Sequence, residues 1–185
     1  RFDRMTRGRG KITKLHQEDM CQLTEMLTEN KYNSSMEKVA KATEQFTTHK
    51  GLEALTLFQL TLFCFLTGNS DMNLKNFSLL QEEDGTIRLS PAYDLVATSL
   101  VFSEDTEEMA LPICGKKNKL KLEDFFEFSR SCKIPERAAQ NVLADFEDSL
   151  PKMRSWIKNS FLGPERKKDY LGIISQRAKR LKLIV

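Results

Sequence analysis

Gly68-Asn69-Ser70-Asp71-Met72-Asn73-Leu74-Lys75-Asn76-Phe77-Ser78 is a polar run set directly against the most apolar part of the chain. The preceding stretch, Leu52 to Thr67, is apolar almost all round, as a central helix covered on every side must be. Gly68 supplies its stop, because glycine takes the left-handed backbone of a helix end without steric cost. After the run, Phe77 to Leu80, the turn Glu83-Asp84-Gly85 and Thr86 to Leu89 read as a β-hairpin that Ser90-Pro91 ends. A polar loop held between a buried helix and a hairpin is a rigid mounting for side chains that do chemistry.

Working outward, Met20, Leu23 and Leu27 after Asp19 keep helical spacing. Ser34 with Glu37 makes a capping box ahead of Met36, Val39, Ala40, Thr43 and Phe46. Arg1 to Lys14 carries six basic residues against one acidic, and its Arg7-Gly8-Arg9-Gly10 reads as a strand end followed by a turn or loop. Acidic Ser103 to Glu108 and basic Lys116 to Lys121 read as solvated segments around a strand near Met109 to Cys114. Beyond them the pattern is helical: Leu122 to Ser129; a helix starting at Pro135 with Ala139, Val142, Leu143 and Phe146 on one face; a short helix around Trp156; and a last one after Pro164 carrying Ile173, Ile174 and Leu181. The expected fold is mostly α with a small β-hairpin insert, in three stretches: 1–14, 15–121 and 122–185.

With 185 residues, 30% charged and 40% hydrophobic, the chain has the balance of a globular domain and not of a disordered or collagen-like one. The 29 basic and 26 acidic side chains leave +3, too little to argue for nucleic acid by net charge. The basic Arg177 to Lys182 reads either as a nucleic-acid stripe or as the cations that belong at a helix C-terminus. Cys21, Cys64, Cys114 and Cys132 stand 43, 50 and 18 residues apart, and His16 and His49 form no zinc-binding pair, so four buried thiols in a reducing, cytoplasmic compartment are expected. Leu52 to Leu66 is interrupted by Glu53, Gln59 and threonines and reads as a core helix, with no membrane expected. Arg1 is not preceded by Met, and a longer protein is expected around this sequence.

Within the loop, Asp71 and Asn76 stand five apart. That is the spacing at which a protein-kinase catalytic loop sets an aspartate to meet the substrate hydroxyl proton and an asparagine to hold magnesium. Asp94 lies just beyond the hairpin, where a kinase places its second metal-binding acid, and Lys75 is placed to neutralise a transferring phosphoryl group. Phosphoryl transfer asks mainly for in-line positioning and charge neutralisation. Magnesium prefers one or two carboxylate or amide oxygens beside water and phosphate, which Asn76 and Asp94 offer. The plainer alternative is that Asp71 and Asn76 cap turns.

Together with Ser90-Pro91-Ala92-Tyr93-Asp94-Leu95, Arg1-Phe2-Asp3-Arg4 and Gln17-Glu18-Asp19-Met20-Cys21-Gln22, this loop resembles the C-terminal kinase domain of HipA-like serine/threonine kinases, toxins of bacterial toxin-antitoxin systems. The resemblance spans Arg1 to about Leu95; farther on, the helical character and Leu111 to Lys117 agree with it. It implies the C-terminal lobe of a protein-kinase-like fold that uses ATP and Mg. By the same resemblance Asp71 is the catalytic aspartate, Asn76 and Asp94 bind magnesium, Tyr93 lies beside the nucleotide, and Arg1 and Phe2 belong to the hinge at adenine. Asn73 stands where the family usually has a histidine that contacts the ATP phosphates; an amide donates a hydrogen bond there but carries no charge.

The family's N-terminal kinase lobe would precede Arg1, in cis or as a separate chain, and without it the chain is expected to be inactive. Implied partners are a protein substrate such as an aminoacyl-tRNA synthetase, and a helix-turn-helix antitoxin through which DNA is met indirectly. Two rival functions stand beside this one. The first is a non-catalytic kinase-like module that docks an antitoxin or another lobe, and the second a DNA-binding protein using the basic ends.

Overall fold

In chain order the computed structural model, which describes residues 2–102, 104 and 106–183, holds β1 (Arg4–Arg7), β2 (Lys11–Lys14), β3 (His16–Asp19), α1 (Met20–Leu23), α2 (Met36–Phe46), α3 (Lys50–Thr67), β4 (Ser78–Gln81), β5 (Ile87–Leu89), α4 (Thr98–Val101), α5 (Leu122–Ser131), α6 (Glu136–Lys158) and α7 (Pro164–Arg180). Single 3-10 turns at Thr28–Asn30 and Leu74–Asn76 join the set. About half of the chain is helical, with two small sheets among the described residues.

α3 is the axis. Leu57, Phe58, Leu62, Phe65 and Leu66 are fully buried, each worth about 1.5–3 kcal/mol of transfer free energy. Around the helix pack α2, α6, α7 and β5. Phe65 and Phe58 meet Phe125 and Phe128 of α5 with ring centroids 5.0 and 6.3 Å apart. By length and composition α3 would also suit a membrane span. One carboxylate lies within it: Glu53 is buried and accepts a hydrogen bond from Leu89 N–H at 2.9 Å, tying the hairpin to the core helix. Gly68 ends α3 with φ 79°, and the N–H of Asn69 closes on the Cys64 carbonyl at 2.9 Å.

The expected hairpin is there, and it is the outer pair of a three-stranded antiparallel sheet in the order β3-β4-β5. The third strand, His16–Asp19, pairs Asp19 with Ser78 and His16 with Gln81. Where Arg7 to Gly10 reads as a strand end and loop, β1 and β2 form a second hairpin joined through Gly8–Gly10. The helix expected from Asp19 stops at Leu23, and Leu27 lies outside it, exposed. The cap of α2 is Ser35 and not Ser34: Ser35 Oγ accepts from Lys38 N–H at 3.4 Å, while Glu37 turns away to accept from Cys114 N–H at 2.8 Å.

No strand forms at Met109 to Cys114; an isolated bridge, Ile113 with Lys116, stands in its place. The described residues of the flanking segments are largely exposed, and some of their charges are also paired, Lys117 with Glu107 at 3.1 Å and Lys116 with Asp124 at 2.6 Å. The separate helix around Trp156 is the end of α6, which runs unbroken through Pro151. Leu150 and Ile157, one face two turns apart, are both buried and hold the register across the proline. Of the four free thiols, Cys21 and Cys64 are buried and Cys114 and Cys132 half-buried. Burial pushes Cys64 up to about 12, so it remains a protonated core residue.

The basic C-terminal turn is also paired. Arg177 is buried, with its guanidinium over the Phe65 ring at 5.2 Å, donating to the Phe65 carbonyl and, at 2.9 Å, to Ser99 Oγ. Burial pushes Arg177 down to about 10, which leaves it charged at neutral pH. Arg180 meets Glu108 at 2.7 Å and Lys182 meets Glu123 at 2.8 Å. Three of the four cations of this turn are thus engaged within the chain, while Lys179 is exposed.

Candidate functional site

The polar run after Gly68 is organised by side chains that bond its own backbone. Asn69, buried, receives Asp71 N–H on its amide oxygen at 3.2 Å and donates to the carbonyl of Asp94 at 3.3 Å. The Asp71 carbonyl accepts from Asn73 Nδ2 at 3.1 Å and from Asn76 Nδ2 at 3.0 Å. Asn73 also accepts from Lys75 N–H at 3.0 Å and so caps the Leu74–Asn76 turn. Three buried asparagines thus shape the loop and join it to the chain at Asp94. Ser70 is fixed from the far side by Thr98 Oγ1, 2.8 Å from both its N–H and its hydroxyl.

This arrangement leaves the Asp94 carboxylate and one oxygen of Asp71 without a partner among the described residues. Asp71 is half-buried, and its Oδ1 accepts from the Tyr32 hydroxyl at 2.7 Å, with Asn73 Nδ2 at 3.5 Å. Asp94 is exposed, with φ 53°, a left-handed backbone that aspartate tolerates better than most residues. No hydrogen bond or ion pair reaches its carboxylate among the described residues. The Asn76 amide nitrogen is committed to Asp71, which leaves its amide oxygen as a donor for a cation. An amide oxygen and a free carboxylate are the hard ligands a magnesium ion takes.

Lys75 lies apart from these carboxylates: its ammonium pairs with Asp19 at 2.6 Å, and that hydrogen bond pushes it above the usual lysine range. Asp19 at the same time caps α1, its carboxylate accepting from Gln22 N–H at 3.0 Å. Tyr93 is half-buried and donates to the Lys75 carbonyl at 2.5 Å; Ser78 Oγ, also at 2.5 Å, must then be the donor to the phenol, which has one proton. Burial raises the Tyr93 phenol. The Phe2 ring lies 5.5 Å from that of Tyr93, so the N-terminal segment and the residue before Asp94 form one apolar platform. Arg1 lies outside the described residues.

A cleft of about 390 Å³ opens at Asp71, lined by Tyr32, Ser70, Thr98, Phe102, Ala110 and the Lys117–Glu107 pair. Apart from Ser70, which belongs to the polar run, no local pattern ties these neighbours to Asp71. Tyr32 is 39 residues from Asp71 in an aperiodic segment, and no local signal marks it.

A sequence model of the HipA-like C-terminal domain matches residues 1–153. A Sinorhizobium fredii protein described as "Putative kinase Y4mE" is 24% identical over 196 residues, covering 100% of this chain and 46% of its own length. Among solved structures, HipA of Shewanella oneidensis MR-1, determined with HipB and its operator DNA, superposes with a TM-score of 0.79 at 17% identity, over 99% of this chain and 48% of that one. The proinflammatory kinase CtkA of Helicobacter pylori gives 0.58 at 13% identity, over 91% of this chain and 66% of that one. The chain therefore spans about half the length of the first two.

Proposed function

This chain belongs to the HipA-like C-terminal domain family, and from that premise we propose that it is the ATP- and magnesium-dependent serine/threonine kinase lobe of a longer cytoplasmic protein. The observation that carries the proposal is the joined loop. Asn69 links the backbones at Asp71 and Asp94, Asn76 is bonded to Asp71, and the Asp94 carboxylate and one oxygen of Asp71 are left without a partner among the described residues.

In this proposal Asp71 takes the proton of an acceptor serine or threonine hydroxyl as that oxygen bonds to the γ-phosphorus and ADP departs. Asn76 and Asp94 would hold magnesium, which supplies positive charge against the charge developing on the phosphoryl oxygens. Phe2 and Tyr93 offer an apolar surface for the nucleotide base. Lys75 adds positive potential beside the loop while fixing its position through Asp19. Asn73 would meet the phosphates only by releasing an amide proton that it now gives to Asp71. The N-terminal lobe would complete the cleft. A helix-turn-helix antitoxin as partner is suggested by the HipA neighbour solved with HipB. A translation-related substrate such as an aminoacyl-tRNA synthetase rests on family likeness alone.

A second function, a non-catalytic docking module, is favoured by one observation: the Asn73 amide is already engaged at both ends inside the loop. Radiolabelled ATP offered with magnesium to the complete protein separates the two. Label on serine or threonine supports the kinase, and absence of both label and ATP binding supports the docking module.

A further inference from the structure

We propose that Tyr32 is the positioning residue for Asp71: its phenol holds Oδ1 and leaves Oδ2 as the atom that receives the acceptor proton. This inference rests on the kinase proposal and deepens it.

A carboxylate used as a base must present one oxygen in a fixed direction, and rotation about its terminal bond works against that. Both donors near Asp71 fall on the same oxygen, Tyr32 Oη at 2.7 Å and Asn73 Nδ2 at 3.5 Å. Among the described residues Oδ2 receives neither a hydrogen bond nor an ion pair. The phenol is not a loose plug in the cleft. Its segment is stitched to the loop it serves, with Leu74 N–H donating to the Lys31 carbonyl at 3.1 Å, and it is tightened by Asn33 N–H on the Asn30 carbonyl at 2.8 Å. The Lys31 ammonium lies 4.9 Å from the Tyr32 ring centroid and holds the ring from its face. Donation to Asp71 also pushes the Tyr32 phenol above its ordinary value, so it stays a donor over the range in which a kinase works. Tyr32 and Asp71 line the same cleft, so an acceptor entering there meets the remaining oxygen.

The test is a double-mutant cycle in the complete protein, with Tyr32→Phe, Asp71→Asn and the pair, reading label transferred from ATP to the protein itself and to casein as a probe acceptor. Tyr32→Phe keeps the ring under Lys31 and removes only the donor. Loss of a hydrogen bond to a charged group should lower kcat about tenfold to a hundredfold with KM for ATP within about twofold. In the Asp71→Asn background the same change should cost almost nothing, an outcome that a purely structural tyrosine would not give. A Tyr32→Phe protein as fast as or faster than the parent, equal losses in both backgrounds, or phosphate found on Tyr32 would each overturn the assignment. An inactive parent protein would remove the kinase proposal as well, whereas an active parent indifferent to Tyr32→Phe removes this inference alone.

Discussion

Two regions gather polar side chains around α3: the loop from Asn69 to Asn76 beyond its C-terminal end, and the basic turn Arg177 to Lys182 of the packed C-terminal helix. In the turn three of the four charges are consumed, Arg177 by the Phe65 carbonyl and Ser99, Arg180 by Glu108 and Lys182 by Glu123. In the loop the neutral amides do the holding, Asn69, Asn73 and Asn76 bonding backbone groups, while the Asp94 carboxylate and one oxygen of Asp71 stay open. Both regions are polar and both are ordered by hydrogen bonds. What distinguishes a working surface from a fastening is which groups remain unpaired once the backbone is satisfied.

That contrast makes Asp71 and Arg177 opposites under mutation. Asp71→Asn in the complete protein should lower phosphoryl transfer by about a hundredfold to ten-thousandfold while the melting temperature stays put, since the isostere keeps the loop's size and most of its bonding. A normal rate with a lowered melting temperature would make Asp71 a turn cap and erase the distinction. Arg177→Ala should do the reverse, costing on the order of 3 kcal/mol in denaturant unfolding through two lost charge-assisted hydrogen bonds and lost packing on Phe65, with little change in rate per folded molecule.

The smallest effect sharpens the position of Lys75, which stands between the two kinds. Its ammonium is raised by Asp19, so the pair's stabilisation is complete below the ordinary lysine value of about 10.4 and is lost as pH rises through the raised folded value. With the lysine side chain 38% exposed, the contribution should be under about 1 kcal/mol. Unfolding measured between neutral and strongly alkaline pH should show this loss in the parent and not in Asp19→Asn.

The sequence made α3, its Gly68 stop and the Glu83-Asp84-Gly85 hairpin legible because each has a local cause: continuous apolar character, a left-handed end and a turn dipeptide. β3 was not legible, since His16-Gln17-Glu18-Asp19 is polar at every position and becomes a strand only by pairing with β4. A helix around Trp156 reads as separate from the one starting at Pro135, while the burial of Leu150 and Ile157 that carries α6 unbroken through Pro151 is tertiary. In the site, the order Asp71, Asn76, Asp94 could be read from spacing. The role of Asn69 as the bridge between two of them could not, nor could the approach of Tyr32, because both depend on segments that meet only after folding.

In the kinase proposal the open carboxylate of Asp94 is left free for a metal-bound nucleotide, which calorimetric titration of ATP into the complete protein with and without magnesium reads out. Asn suits the left-handed backbone at this position as Asp does, so Asp94→Asn removes the charge and keeps the fold. Magnesium should tighten ATP binding in the parent protein and have no effect in Asp94→Asn at unchanged melting temperature. Equal magnesium dependence in the two proteins would contradict it.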